Sequence, residues 1–265
     1  MKAWRIFLLS FQHVLENRSR SFIWVLYVLL PAVVFMLFWI GVVKSSGGDV
    51  SGWNFSTITS YYFLLTVLGS TVIAHIEEDV AEEDIRLGEL TNYLMKPFSY
   101  FWTKFLEETP WRLIQGAFGV LIVIAFIFIF GNFFTLASSP LVIVLALLIM
   151  VLAYMLCFTF KMSLGLSAFW LTDSRGLFQI LEVLLLIFGG FVVPITLLPE
   201  AFSKIAQVLP FSYIVYYPIV AIQGNLSITQ MLTVIFAQLA WIFVFYLVYK
   251  VVWSEGRRKY TAMGQ

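Results

Sequence analysis

The chain has 265 residues, 61% of them hydrophobic and only 12% charged, with a formal net charge of +1. Soluble domains carry about 25% charged residues, so a water-soluble fold is excluded, and the length is better counted in membrane spans than in domains. The single cysteine, Cys157, excludes an intrachain disulfide and reads as a small packing residue, while His13 and His75 lack the cluster of ligands a zinc site needs.

In chain order, residues 1–20 come first. Trp4, Phe7, Leu8, Phe11, Val14 and Leu15 recur at helical spacing, with Lys2, Arg5, Gln12 and Glu16 on other faces. The pattern predicts an amphipathic helix lying in the membrane interface. Phe22 to Val43 then carries no charge; its 22 positions make about 33 Å of helix, enough to cross a bilayer. Pro31 is tolerable there because neighbouring helices satisfy the freed carbonyl. The run is too long and too late to be a cleaved signal.

Further apolar runs predict spans at about 56–76, 111–130, 140–161, 176–194 and 228–250, in addition to 22–43. The string GNFFTLASSP, Gly131 to Pro140, marks the turn between the third and fourth. The expected architecture is one all-α integral membrane domain, 1–265, with six transmembrane helices. With the N-terminus inside, 14 of the 16 Lys and Arg residues fall on the cytoplasmic side, so both termini are expected in the cytoplasm. Trp24, Trp53, Tyr61, Tyr62 and Trp253, near span ends, read as interface anchors.

Residues 77–110 are expected to leave the bilayer as the one large cytoplasmic loop. Nine of the fifteen acidic residues lie between Glu77 and Arg112. Ile85, Leu87, Leu90, Tyr93 and Leu94 can form one apolar stripe on a helix that Lys96-Pro97 ends. The acidic run sits at the N-terminal side of that helix, where negative charge is favoured. Two readings stand: a solvated helix resting on the membrane, or a docking helix for a soluble partner.

Residues 195–227 are too apolar for an exposed loop and too broken for a span. With Gly189, Gly190, Pro194, Pro199, Pro210 and Pro218 they predict broken, re-entrant helices forming an outer lid, or short amphipathic helices on the membrane surface. Glu182 is the one acid well inside a predicted span. It reads as an ion-pair partner of Arg175 or Lys161, with a substrate contact as the alternative. Small residues at Gly116, Gly119, Ser163, Gly165 and Ser167 read as helix packing. No G-x-x-x-x-G-K-[ST] string, nucleophile elbow or paired metal ligands occur, so an enzyme reading has little support.

The strings IRLGELTNYLMKPFSYF after the second span, GGFVVPITLLPE at the fifth, LPFSYIVYYPIVAIQG beyond it, and the ending W-x-x-G-R-R-x-Y at Tyr260 occur in this order. With the span layout they resemble the type-2 permeases of ATP-binding-cassette exporters, in the bacterial six-span form without a fused ATPase. The resemblance implies a permease that pairs with a second copy or a sister subunit in the inner membrane. It also implies docking on a separate cytoplasmic ATP-binding subunit, which holds the ATP and magnesium; the chain needs no cofactor of its own and no nucleic acid. By position, Gly88, Glu89, Leu90, Leu94, Lys96 and Pro97, preceded by Ile85, would form the contact with the ATPase. The acidic run is heavier in charge than expected of that family. A secondary transporter or channel is the alternative; it would call for repeated halves and ionisable residues at the midplane, which the sequence does not display.

Overall fold

The computed structural model describes residues 2–16, 18–130 and 134–260. Gly131 to Phe133, the head of the expected turn between the third and fourth spans, and the side chain of Trp24 lie outside the described residues.

The elements follow from the apolar runs and their caps. Helix α1 covers Lys2–Glu16 and packs on the later helix α6, Tyr100–Phe130, while α2, Arg18–Ser45, keeps Pro31 inside its length. A two-stranded hairpin, β1 Asp49–Val50 and β2 Trp53–Asn54, leads into α3, Phe55–Val72. Asn54 caps α3 reciprocally with Thr57, which fixes its start one residue before the expected Ser56. After a break come α4, Ile76–Glu78, a π-helical segment, Asp79–Arg86, and α5, Leu90–Leu94. Helix α7, Pro140–Gly165, starts with the proline at its first turn, as Pro prefers, and ends in a 3-10 turn, Leu166–Phe169. Helix α8 is Arg175–Phe188; a 3-10 turn, Ile195–Leu197, and α9, Glu200–Val208, α10, Pro210–Ile214, and α11, Tyr216–Ile222, follow. The last helix, α12, runs Ile228–Lys259 behind a Ser227–Gln230 capping box.

The protein is an all-α membrane protein turned inside out relative to a soluble fold. Leu30, Val151 and Phe236 are 68%, 60% and 71% exposed, while Glu77, Asp84, Lys104, Arg112 and Lys161 are buried. Lipid accepts the former, and the latter are tolerable only where partners surround them. Among the described residues four helices are long and apolar enough to cross a membrane: Phe55–Arg86, Tyr100–Phe128, Pro140–Phe169 and Ile228–Lys259. A bent pair, Glu200–Val208 and Pro210–Ile222, meets at 67° and could count as a fifth. The described residues thus give four candidate spans, or five with the bent pair, against the six expected; the first expected, 22–43, falls on α2, Arg18–Ser45. The expected span at 176–194 holds a helix of 14 residues, about 21 Å at 1.5 Å per residue against a hydrocarbon core of about 30 Å.

Close packing rests on small residues. A Cβ at Gly116 would lie 2.8 Å from the Thr71 hydroxyl, and one at Gly119 would lie 3.1 Å from the Val67 backbone, so α3 and α6 touch through these positions. The Ser163 hydroxyl donates to the Phe245 carbonyl at 3.1 Å, joining α7 to α12. These contacts are intramolecular, as read from the sequence.

Candidate functional site

Two ends of the bundle carry the predicted residues. At the charged end, residues 77–110 form no open loop: helix resumes at Ile76 and α6 already begins at Tyr100, with Pro110 inside it. Non-helical residues 73–75 mark the first interruption, where an Arg112 guanidinium nitrogen donates to the Ile73 carbonyl at 2.7 Å, and residues 87–89 and 95–99 interrupt the helix again. The π-helical winding carries an i to i−5 bond from the Leu87 amide to the Glu82 carbonyl, 2.9 Å. Such windings are rare and recur at functional positions.

This segment has one buried face, Glu77, Val80, Ala81, Asp84 and Ile85. Positions i, i+3, i+4, i+7 and i+8 mark the inward stripe of a helix, here with two acids in it. Each acid meets a cation from another helix. Lys161 of α7 lies 2.6 Å from Glu77, and Lys104 of α6 lies 2.6 Å from Asp84, which also accepts the Tyr100 hydroxyl. Glu108 and Arg112 pair at 2.6 Å one turn apart on α6. Glu82 accepts from Arg86 and, at 3.3 Å, from Arg175. Three of the six acids of the run, Glu77, Glu82 and Asp84, are therefore paired inside the chain. Glu78, Asp79 and Glu83 remain at the surface.

The neighbouring elements lock onto the same segment. A Cβ on Gly165 would lie 2.8 Å from Val80 Cβ and 2.9 Å from the Glu77 carbonyl, so the close approach of α7 needs a glycine there. Tyr100 stacks on Trp253 at 4.7 Å, and the Tyr260 hydroxyl donates to the Gly88 carbonyl at 2.9 Å. Gly88 itself turns the chain at φ +87°, a conformation glycine adopts without strain. The Tyr93 hydroxyl donates to Glu107 at 2.9 Å, and its ring faces the Lys104 ammonium at 4.7 Å and that of Lys96 at 5.0 Å. Burial, and then the charge of Glu107, hold the Tyr93 hydroxyl well above its ordinary range, so it stays a donor.

The predicted contact residues divide. Ile85 and Leu90 are buried in the protein's own core and present no surface to a partner. Gly88 is half-buried; Glu89, Leu94, Lys96 and Pro97 are exposed. Around them the structure adds Leu87 and Met95, each 73% exposed, and Phe98. The stripe drawn as one helix face thus splits, because the chain turns at Gly88 instead of continuing as helix from Ile85 to Leu94. The apolar character of Leu94-Met95 and Phe98, flanking Lys96-Pro97, was the available signal for the exposed set.

At the opposite end, α8 stops at Gly189-Gly190. Gly190 has φ +93°. The turn that follows would leave carbonyls unsatisfied, and aromatic donors meet them. Tyr61 donates to the Gly190 carbonyl at 2.7 Å, and Tyr62 and Trp39 to that of Val192 at 2.8 and 3.1 Å. Trp53 donates to the Thr196 hydroxyl at 2.9 Å. Tyr61, Tyr62 and Trp53 are buried internal props, not the lipid-interface anchors read from the sequence, while Trp253 is half-buried and stacks on Tyr100. The polar tips of Tyr61, Tyr62 and Trp53 find carbonyl or hydroxyl partners inside the protein. Pro194 precedes the 3-10 turn, Pro199 precedes α9, and Pro210 opens α10, so each proline stands where its missing N–H costs nothing.

Between the ends, α2, α3 and α8 enclose a crevice of about 290 Å³. Its walls include Tyr27, Phe35, Leu65, His75, Glu182 and Phe191. Neither expected ion pair of Glu182 forms: Arg175 is held by Glu82 and Lys161 by Glu77. Among the described residues no group of three or more His, Cys, Asp or Glu could hold a metal ion.

Comparison with individually curated proteins gives no match. The model of the ABC-2 family transporter proteins matches residues 29–264, and the chain therefore belongs to that family of multi-pass membrane proteins.

Proposed function

We propose that this chain is the permease subunit of an ATP-driven exporter of the inner membrane. It pairs with a second permease, itself or a sister chain, and docks on a separate cytoplasmic ATP-binding subunit. The charged end and both termini face the cytoplasm, in keeping with the distribution of Lys and Arg. The observation that carries the reading is the exposed apolar surface of Leu87, Leu94, Met95 and Phe98 at the tip of an end whose buried charges are internally paired. Water penalises such a patch, and a protein partner relieves the penalty. Glu83, Glu89 and Lys96, also exposed, supply a polar rim.

The same surface is fastened to the rest of the bundle. Asp84–Lys104, Tyr93–Glu107 and Tyr260–Gly88 connect the tip to α6 and α12, and Glu77–Lys161 connects its base to α7. Movement imposed on the tip by ATP-driven closure of the partner is passed to those helices as a unit. The substrate then leaves past the turn at Gly189 to Pro194.

Purification of the native complex tests this. An ATP-binding subunit is expected to accompany the wild-type permease, and Leu94→Asp together with Met95→Asp is expected to release it while leaving the permease folded. A permease that purifies without an ATP-binding subunit, with transport that survives ATP depletion, would overturn the proposal in favour of a secondary transporter.

A further inference from the structure

Glu182, on α8, has no ion pair within 4 Å among the described residues, whereas Glu77, Asp84 and Glu108 each have one. The crevice it lines is bounded by α2, α3 and α8, and its volume of about 290 Å³ lies near the lower limit of small-molecule sites, roughly 300 Å³. The walls are apolar and aromatic, and Glu182 is the one Asp, Glu, Lys or Arg among them. A second, larger cavity of about 390 Å³, between α3, α6 and α7, is lined entirely by aliphatic and thioether side chains, and offers nothing to orient a ligand.

The charge around Glu182 does not cancel. Lys161 is 2.6 Å from Glu77, Arg112 is 2.6 Å from Glu108, and Arg175 reaches Glu82 at 3.3 Å. Among the described residues no cation lies within ion-pairing distance of Glu182. Lys161 and Glu77 line a narrow cleft that Glu182 also lines, so the local set is two carboxylates and one ammonium, a net of one negative charge. The second oxygen of Glu77 is buried and accepts no hydrogen bond among the described residues. Glu182 is exposed where it lines the apolar crevice, so its carboxylate is open to a ligand that enters there. The rings of Tyr27, Phe35 and Phe191 offer faces that attract a cation further. The crevice also runs from Glu182 to Phe191 and Val192, at the turn whose carbonyls Tyr61, Tyr62 and Trp39 hold.

We propose that this crevice binds a small apolar organic monocation, with its charge set against Glu182 and its apolar body against α2 and α3. The inference rests on the permease reading for its meaning as a substrate site, and names the substrate class that reading leaves open. An organic anion meets net like charge there, and a neutral hydrocarbon leaves the carboxylate unmatched.

Binding is measured on the full-length permease in detergent, with benzyltrimethylammonium and its neutral carbon isostere, neopentylbenzene. Wild type is expected to bind the cation at least tenfold more tightly than the isostere. Glu182→Gln is expected to abolish that preference while retaining the neutral compound. Glu182→Asp should keep part of it, and Leu186→Trp, which fills the crevice, should lose both ligands. Equal affinity for the two compounds in wild type, an unchanged preference in Glu182→Gln, or no cation binding at millimolar concentration each overturns the proposal. These outcomes are independent of the ATPase. A permease that binds the cation but recruits no ATP-binding subunit refutes the exporter reading alone, and one that recruits the subunit without cation preference refutes this inference alone.

Discussion

The two ends of the bundle solve one problem, polar groups near a membrane, by different chemistry. At the charged end, Glu77, Asp84 and Glu108 are matched by Lys161, Lys104 and Arg112 in ion pairs of 2.6 Å. At the opposite end, the carbonyls freed by the break at Gly189-Gly190 are matched by the neutral donors Tyr61, Tyr62 and Trp39. Ion pairs are intolerant of the loss of one member, because the remaining charge is stranded; neutral hydrogen bonds lose less. The charged end is therefore built to hold one arrangement of helices firmly. The opposite end can exchange neutral donors for water at modest cost.

The sharpest way to break this comparison is to remove one buried cation. Lys161→Met strands Glu77, and a loss of roughly 3–5 kcal/mol is expected from the cost of an uncompensated buried charge. Thermal unfolding in detergent reads it, and Glu77→Gln added to the same chain should recover most of the loss. At the other end Tyr61→Phe leaves the Gly190 carbonyl without its donor, at a cost of roughly 1–3 kcal/mol. If the second variant unfolds as readily as the first, the two ends do not differ as argued. Tyr260→Phe removes the neutral bond to Gly88, worth about 1 kcal/mol. Its expected signature is faster amide exchange confined to residues 86–94, with the midpoint of unfolding little changed. Smallest of all, Leu94→Asp with Met95→Asp alters exposed positions and should shift stability by no more than about 0.5 kcal/mol per site. Retention of the ATP-binding subunit by that variant would locate docking elsewhere.

The charged end was only partly legible in the sequence. The run from Glu77 to Asp84 reads as a solvated or partner-facing stretch, since acids seldom occur together in a buried stripe. Yet Glu77, Val80, Ala81, Asp84 and Ile85 have the spacing of one helix face, and Lys104 and Lys161 were the cations available to it. What was missing was the knowledge that α7 passes Val80 closely enough to bring Lys161 to Glu77, an approach that depends on Gly165. The docking residues were half legible for a related reason. Ile85 and Leu90 share the apolar character of Leu87 and Leu94, and only the turn at Gly88 sends the first pair inward and the second outward. Tyr61, Tyr62 and Trp53 misread as lipid anchors because an aromatic near a span end looks the same whether its polar tip meets water or an acceptor inside the protein.

Composition and periodicity alone determined that the chain is helical, membrane-embedded and broken near Gly189-Gly190. Apolar length and the positions of glycine and proline are local properties, and they decide those outcomes without reference to distant residues. Only the tertiary structure decided which charges face inward, which apolar residues remain at the surface, and that Lys161 and Arg175 make their ion pairs with Glu77 and Glu82 instead of Glu182. Each of those depends on residues far apart in sequence, 84 positions for Glu77 and Lys161 and 93 for Glu82 and Arg175, brought together by helix packing that no single segment encodes.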